Sequence, residues 1–203
     1  MQNGLFFYWT AWAAWTAVTF ILPKGNLRTE WAVLIMAILI ASAGTVEVAG
    51  FESRAVLFIL LAYGYYKLSQ FRPARMLYAI FTCHIIMLAY VGFSLYILYN
   101  PAVLWIDRNW LIAGMLFVVT QLLVKDFSQR LVTAIVGAVH GNLMYALYLK
   151  GLALSFSAGS FQFLDGIAGC LAMIVLWHSY EQATVFIQQF MKRSLSHKRH
   201  YPR

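Results

Sequence analysis

The chain has 203 residues, of which 62% are hydrophobic, 17% aromatic and only 11% charged, against roughly a quarter charged in a soluble domain. With several uncharged runs close to the roughly 20 residues that cross a bilayer, this balance excludes a soluble globular protein and marks an all-α integral membrane protein. The net charge of +8 is then explained by basic residues that hold loops on the cytoplasmic side, and nucleic acid is not an expected partner.

The first hydrophobic segment runs from Leu5 to Leu22 and stops at the Pro23-Lys24-Gly25-Asn26 turn. Its start, Met1-Gln2-Asn3-Gly4-Leu5, lacks the basic region of a cleavable signal peptide, so the segment is expected to remain as a helix. Phe6, Phe7, Tyr8, Trp9, Trp12 and Trp15 crowd its first half, the composition of an interfacial aromatic belt. Segment two spans Trp31 to Ala49, with Glu47 near its far end. Segment three is short, because only the twelve residues Ala55 to Tyr66 separate Arg54 from Lys67. It crosses if Lys67 snorkels and the helix continues to about Phe71, and is re-entrant otherwise. Segment four, Met76 to Tyr96, carries Cys83 and His84, and segment five, Trp110 to Val124, lies between Arg108 and Lys125.

Segment six, Leu131 to Leu149, is nineteen uncharged residues closed by Arg130 and Lys150, with Gly137, His140, Gly141 and Asn142 at its middle. Gly137-x-x-x-Gly141 lets another helix approach the backbone closely, and His140 between the glycines would lie beside that helix. Segments four and seven are the candidates. Segment seven begins near Asp165 and passes Gly169, Cys170, His178 and Glu181 toward Phe190. It exceeds one crossing, so its end is expected to emerge as a short surface helix. All four prolines fall in connections or in the tail. The discontinuous helices and internal repeat that point to a transporter's midplane site are missing.

Seven crossings with the N-terminus outside place twelve Lys and Arg in the inside connections and tail and three in the outside ones. Six crossings, with segment three failing to cross and the N-terminus inside, give eleven against four. The loop-by-loop alternation favours a seven-helix bundle over residues 1–191 in a plasma membrane, with a basic cytoplasmic tail over 192–203. Lys192, Arg193, Lys198, Arg199 and Arg203 of that tail suit anionic lipid headgroups, with an acidic cytoplasmic partner as a further possibility.

Intramembrane polar residues are the candidates for function. His84 and His140 fall about 12 and 15 Å from the inner ends of their segments at about 1.5 Å per residue, and His178 lies at a comparable depth. Together with Glu181 and Glu47 they form a candidate polar network. Convergence of His84, His140 and His178 on a metal or haem iron ranks low, because no HExxH, tight His pair or CxxCH accompanies them. No cofactor is assigned. Cys83 and Cys170 read as inert core residues. Ser155, Ser157 and Ser160, with Gly159, lie in the loop after segment six without a G-x-S-x-G pattern, so no catalytic residue is assigned.

The opening Phe6-Phe7-Tyr8-Trp9-x-x-Trp12-x-x-Trp15, followed by Thr19-Phe20 and the Lys24 to Arg28 turn, resembles the start of the YphA family of small membrane proteins of endospore-forming bacteria. The resemblance implies a bacterial cytoplasmic-membrane protein with a role in sporulation, and it brings no catalytic residues. The first functional reading is therefore a non-catalytic membrane-embedded interaction or assembly component, with a membrane-protein partner. The second is a small-solute or ion transporter using the His/Glu residues as a polar path. The third is a metal- or haem-dependent membrane protein.

Overall fold

The computed structural model describes residues 4–48, 50–100, 102, 107–154 and 156–198. Among them are seven helices: α1 Leu5–Phe20, α2 Asn26–Ala43, α3 Val56–Ser69, α4 Pro73–Tyr99, α5 Arg108–Leu123, α6 Phe127–Gly151 and α7 Phe161–Lys198. Strands β1, Thr45–Val48, and β2, Phe51–Arg54, form an antiparallel hairpin between α2 and α3. The fold is all-helical in its framework, as expected, and the short hairpin is its one addition among the described residues.

The helix expected to reach Ala49 stops at Ala43, where Gly44 turns to extended backbone. Thr45, Val46 and Val48 are β-branched and suit a strand better than a last helical turn. Gly50, at φ +75°, supplies the left-handed conformation that a tight hairpin requires. Glu47 is consequently an exposed strand residue opposite Glu52, not a helical residue within the bundle.

Three further boundaries differ from expectation. Helix α3 ends at Ser69 rather than Phe71, and Lys67 reaches Glu30 of α2 at 2.7 Å instead of extending along a lipid-facing helix. Pro73 begins α4 rather than lying in the connection, because a first-turn residue has no intrahelical use for an N–H. Helix α7 has 38 residues, about 57 Å at 1.5 Å per residue, and runs unbroken to Lys198, beyond the Phe190 at which the sequence reading ends segment seven.

Four helices are long and apolar enough to cross a membrane by length and composition: α2, α4, α6 and the part of α7 up to Gln189. Helices α3 and α5 are apolar but have 14 and 16 residues, roughly 21 and 24 Å.

Helix α6 is the axis of the bundle, packed on α3, α4, α5 and α7. Its small residues admit those neighbours. A Cβ at Gly137 would stand 2.7 Å from Ile86 Cβ, and one at Gly141 would stand 2.7 Å from Tyr90 Cβ, both on α4. On the α3 side the close approach is supplied by Gly64, where a Cβ would collide with Val136. Close contact of this kind gives the dispersion energy that holds helices together where lipid competes equally for apolar surface.

Candidate functional site

The polar side chains of the bundle gather at three levels: the end bearing the hairpin, a cleft part-way along α6, and the opposite end.

At the hairpin end Asn142 is fully buried. Its Nδ2 donates to Tyr90 Oη at 3.0 Å and its Oδ1 accepts the Gly159 N–H at 2.8 Å, so the amide joins α6, α4 and the loop before α7. Gly159 sits at φ +71°, and a Cβ there would meet Leu57 Cγ at 2.8 Å. The neighbouring Ala158 extends the hairpin, donating to Glu52 O at 2.9 Å and accepting from Arg54 N–H at 3.0 Å. Arg54 donates Nη1 to Ser42 O at 2.7 Å, with its guanidinium 3.8 Å from the centre of the Phe161 ring. Asp165 of α7 accepts the N–H groups of Gly4 and Phe7 at 2.7 and 2.8 Å. It thereby caps α1, satisfying orphan amides at the positive end of that helix. Ser160 Oγ accepts the Phe163 N–H at 3.4 Å, and Ser155 lies outside the described residues. These contacts make a latch that ties the chain's beginning to its last helix.

The middle level holds two of the three expected histidines. His140 donates Nδ1–H to Val136 O at 2.7 Å and meets Tyr65 Oη through Nε2 at 2.7 Å. His84 donates Nδ1–H to Ile80 O at 2.9 Å. Both imidazoles line one cleft between α3, α4 and α6.

The third histidine is elsewhere. At the end opposite the hairpin His178 stacks on Phe127 with ring centroids 4.1 Å apart, and its Nδ1 lies 3.7 Å from Glu181 Oε2. Glu181 also accepts Trp177 Nε1–H at 2.6 Å and faces Arg130 Nη1 at 3.5 Å. Arg130 is buried, with Nε donating to Val124 O at 2.7 Å. Nearby, Arg75 pairs with Asp126 and donates Nε to Gln129 Oε1 at 3.0 Å, while Asp126 caps α6 through the Gln129 N–H at 3.0 Å.

The structure sets the polar candidates read from the sequence apart from one another. His84, His140 and His178 are not gathered as a metal set: among the described residues no group of three or more His, Cys, Asp or Glu is placed to hold a metal ion. Glu47, His84, His140, His178 and Glu181 do not meet in one network either, since the hairpin, the cleft and the far end divide them. Cys83 and Cys170 are free and buried. Of the basic tail, the helical backbone continues through Lys192 and Arg193 to Lys198; the side chains of those three, and all of Arg199 and Arg203, lie outside the described residues.

Sequence reasoning missed Arg130, Tyr65, Tyr90 and Asp165 as polar anchors. Arg130 reads as a loop flank until its burial in the first turns of α6 is seen. Asn142 carried a signal, being an amide beside two glycines at mid-helix, where an unpaired polar group is costly.

A family model for YphA-like integral membrane proteins matches residues 3–200, so the likeness of the aromatic opening extends through the chain. A relative, the uncharacterized protein YphA of Bacillus subtilis (strain 168), is 26% identical over 197 residues, covering 95% of this chain and 96% of its own. No solved structure matches. With a match across almost its whole length and helices of bilayer-crossing length, the chain belongs to the YphA-like family of integral membrane proteins.

Proposed function

We propose that the chain is a seven-span protein of the bacterial cytoplasmic membrane, N-terminus outside and C-terminus inside, acting without catalysis as an interaction or assembly component. The observation that carries this reading is the projection of α7. Beyond Glu181, which faces Arg130 of α6, the helix continues for about 25 Å at 1.5 Å per residue with Val185, Phe186 and Ile187 exposed. Large apolar side chains on a helix that leaves its own bundle need a partner or a lipid surface to cover them. The basic residues Lys192, Arg193, Lys198, Arg199 and Arg203 add attraction for anionic headgroups, about 1 kcal/mol each near the surface.

Seven crossings are favoured by the contacts at the two ends. The N-terminus, the hairpin and the start of α7 meet at one end, while Arg75–Asp126 and Arg130–Glu181 meet at the other. Short α3 and α5 are accommodated by local thinning of the bilayer, at fractions of a kcal/mol per Å of mismatch. The transport reading needs a continuous path through Glu47, His84, His140, His178 and Glu181, and their division among three levels favours the interaction reading over it.

Alkaline phosphatase fused at the N-terminus should be active and the same enzyme inserted after Lys24 inactive; a cytoplasmic N-terminus overturns the seven-span topology. For the interaction role, cross-linking in native membranes should give a discrete heavier product with the full chain. Phe186→Asp should reduce it at least fivefold with insertion unchanged, and an unaltered product pattern would sink the role of α7. The sporulation role comes from family resemblance and predicts fewer heat-resistant spores in a strain lacking the gene; a normal spore count removes it.

A further inference from the structure

The cleft between α3, α4 and α6 has a hydrogen-bonding character set by its two imidazoles. Helices α3 and α4 both pack on α6 but barely touch each other, which leaves a space of about 280 Å³ lined by Tyr65, Ile80, His84, Met87, Val136 and His140. That volume is near the lower end of small-molecule sites, which start at roughly 300 Å³. The lining is almost wholly apolar apart from the imidazoles and the tyrosine hydroxyl. His84 lies mid-helix on a stripe of α4 with exposed Leu77, Phe81 and Leu88, so the cleft opens sideways toward the apolar surroundings rather than toward either end.

A carbonyl oxygen can only accept, so Nδ1 carries the proton in both histidines: His84 gives it to Ile80 O and His140 gives it to Val136 O. In a neutral imidazole the other nitrogen is then a bare acceptor. For His140 that acceptor is filled by the Tyr65 hydroxyl. For His84 the remaining donor in the cleft wall is the Cys83 thiol, which is turned to Thr133 O at 3.9 Å. His84 Nε2 therefore presents a lone pair in an apolar, laterally open cleft with no donor to it among the described residues. An unfilled acceptor at this depth is costly, and a ligand that brings a donor removes the cost.

We propose that this cleft binds a lipid-soluble alcohol or phenol, an apolar chain or ring system carrying one hydroxyl, which donates to His84 Nε2 while its body lies against Ile80, Met87 and Val136. An ether, ketone or quinone of the same shape brings only acceptors and sets lone pair against lone pair, so the site selects by the donor. Two imidazoles without a third ligand do not make a metal site, and the apolar walls do not suit a hydrated ion.

The test uses the full chain in phosphatidylcholine nanodiscs with a diazirine-bearing farnesol and its methyl ether, which differ by the single donor. Photolabelling by the alcohol should map to cleft residues of α3 and α4, exceed labelling by the ether at least tenfold, and be displaced by unlabelled farnesol. His84→Phe, at an exposed position, should bring the alcohol down to the ether's level with elution and α-helix content unchanged. Met87→Trp, which fills the cleft and keeps the imidazole, should abolish labelling by both. Equal labelling by alcohol and ether overturns the proposal. So does a preference that survives in His84→Phe, or labelling spread over all lipid-facing helices.

Discussion

Helices α2 and α6 both have the length and apolar composition to cross a membrane, yet 11% of the residues of α2 are buried against 61% of the most apolar 18-residue stretch of α6. Hydropathy does not separate them; side-chain size and polar placement do. Helix α2 is filled with branched apolar residues, such as Val33 and Ile40, that lie exposed, and it buries only Leu39 and Ser42. Helix α6 alternates Gly137, Ala138 and Gly141 with Thr133 and Asn142, so neighbours come close enough for an amide to reach two other parts of the chain. Within a membrane, apolar character says that a helix is inside the bilayer, and small and polar residues say which side is inside the protein.

The contrast can be broken most severely at Gly141. Gly141→Leu drives a side chain into Tyr90 and should destabilise the bundle by about 3 kcal/mol, the upper part of the usual overpacking range. It would be read as an earlier unfolding midpoint in detergent titrated with sodium dodecyl sulfate; a midpoint like that of the parent would mean that α4 does not sit on the glycines. Asn142→Leu keeps the volume but leaves Tyr90 Oη and the Gly159 N–H without their partner, a loss of about 2 kcal/mol. Hydrogen exchange of the 156–160 loop should quicken with it, and unchanged exchange would detach Asn142 from the latch. Arg130→Met should cost about 1 kcal/mol, discounted because its partner is half in solvent. Its more specific sign is faster proteolysis beyond Glu181, and unchanged proteolysis would show that α7 leaves the bundle unaided. On α2, Ile40→Ala should stay within about 0.5 kcal/mol, as surface changes do. A loss comparable to that of Asn142→Leu would show that α2 has a cover in the membrane.

Much of the organisation is legible along the chain. The break at Pro23 and the basic connection between α3 and α4 follow turn and charge signals, and the middle of segment six reads as a packing surface from Gly137 and Gly141. The hairpin was hidden because Val46 and Val48 prolong the apolar character of segment two on either side of Glu47, and hydropathy does not distinguish a short strand from a last helical turn. The histidines were hidden for another reason. Depth along a helix follows from counting residues, but the angle around its axis depends on which neighbour it meets, and His178 meets Phe127 rather than the cleft.

Composition and charge by themselves determined an integral membrane protein with helical segments, since transfer from water to lipid sums residue by residue and needs no knowledge of neighbours. Tertiary structure alone decided that α6 is the axis, that Arg130 is buried against Glu181, and that Asp165 caps α1 through Gly4, 161 residues earlier in the chain. Those outcomes rest on contacts between parts of the chain that are far apart in sequence, which no local pattern of hydropathy encodes.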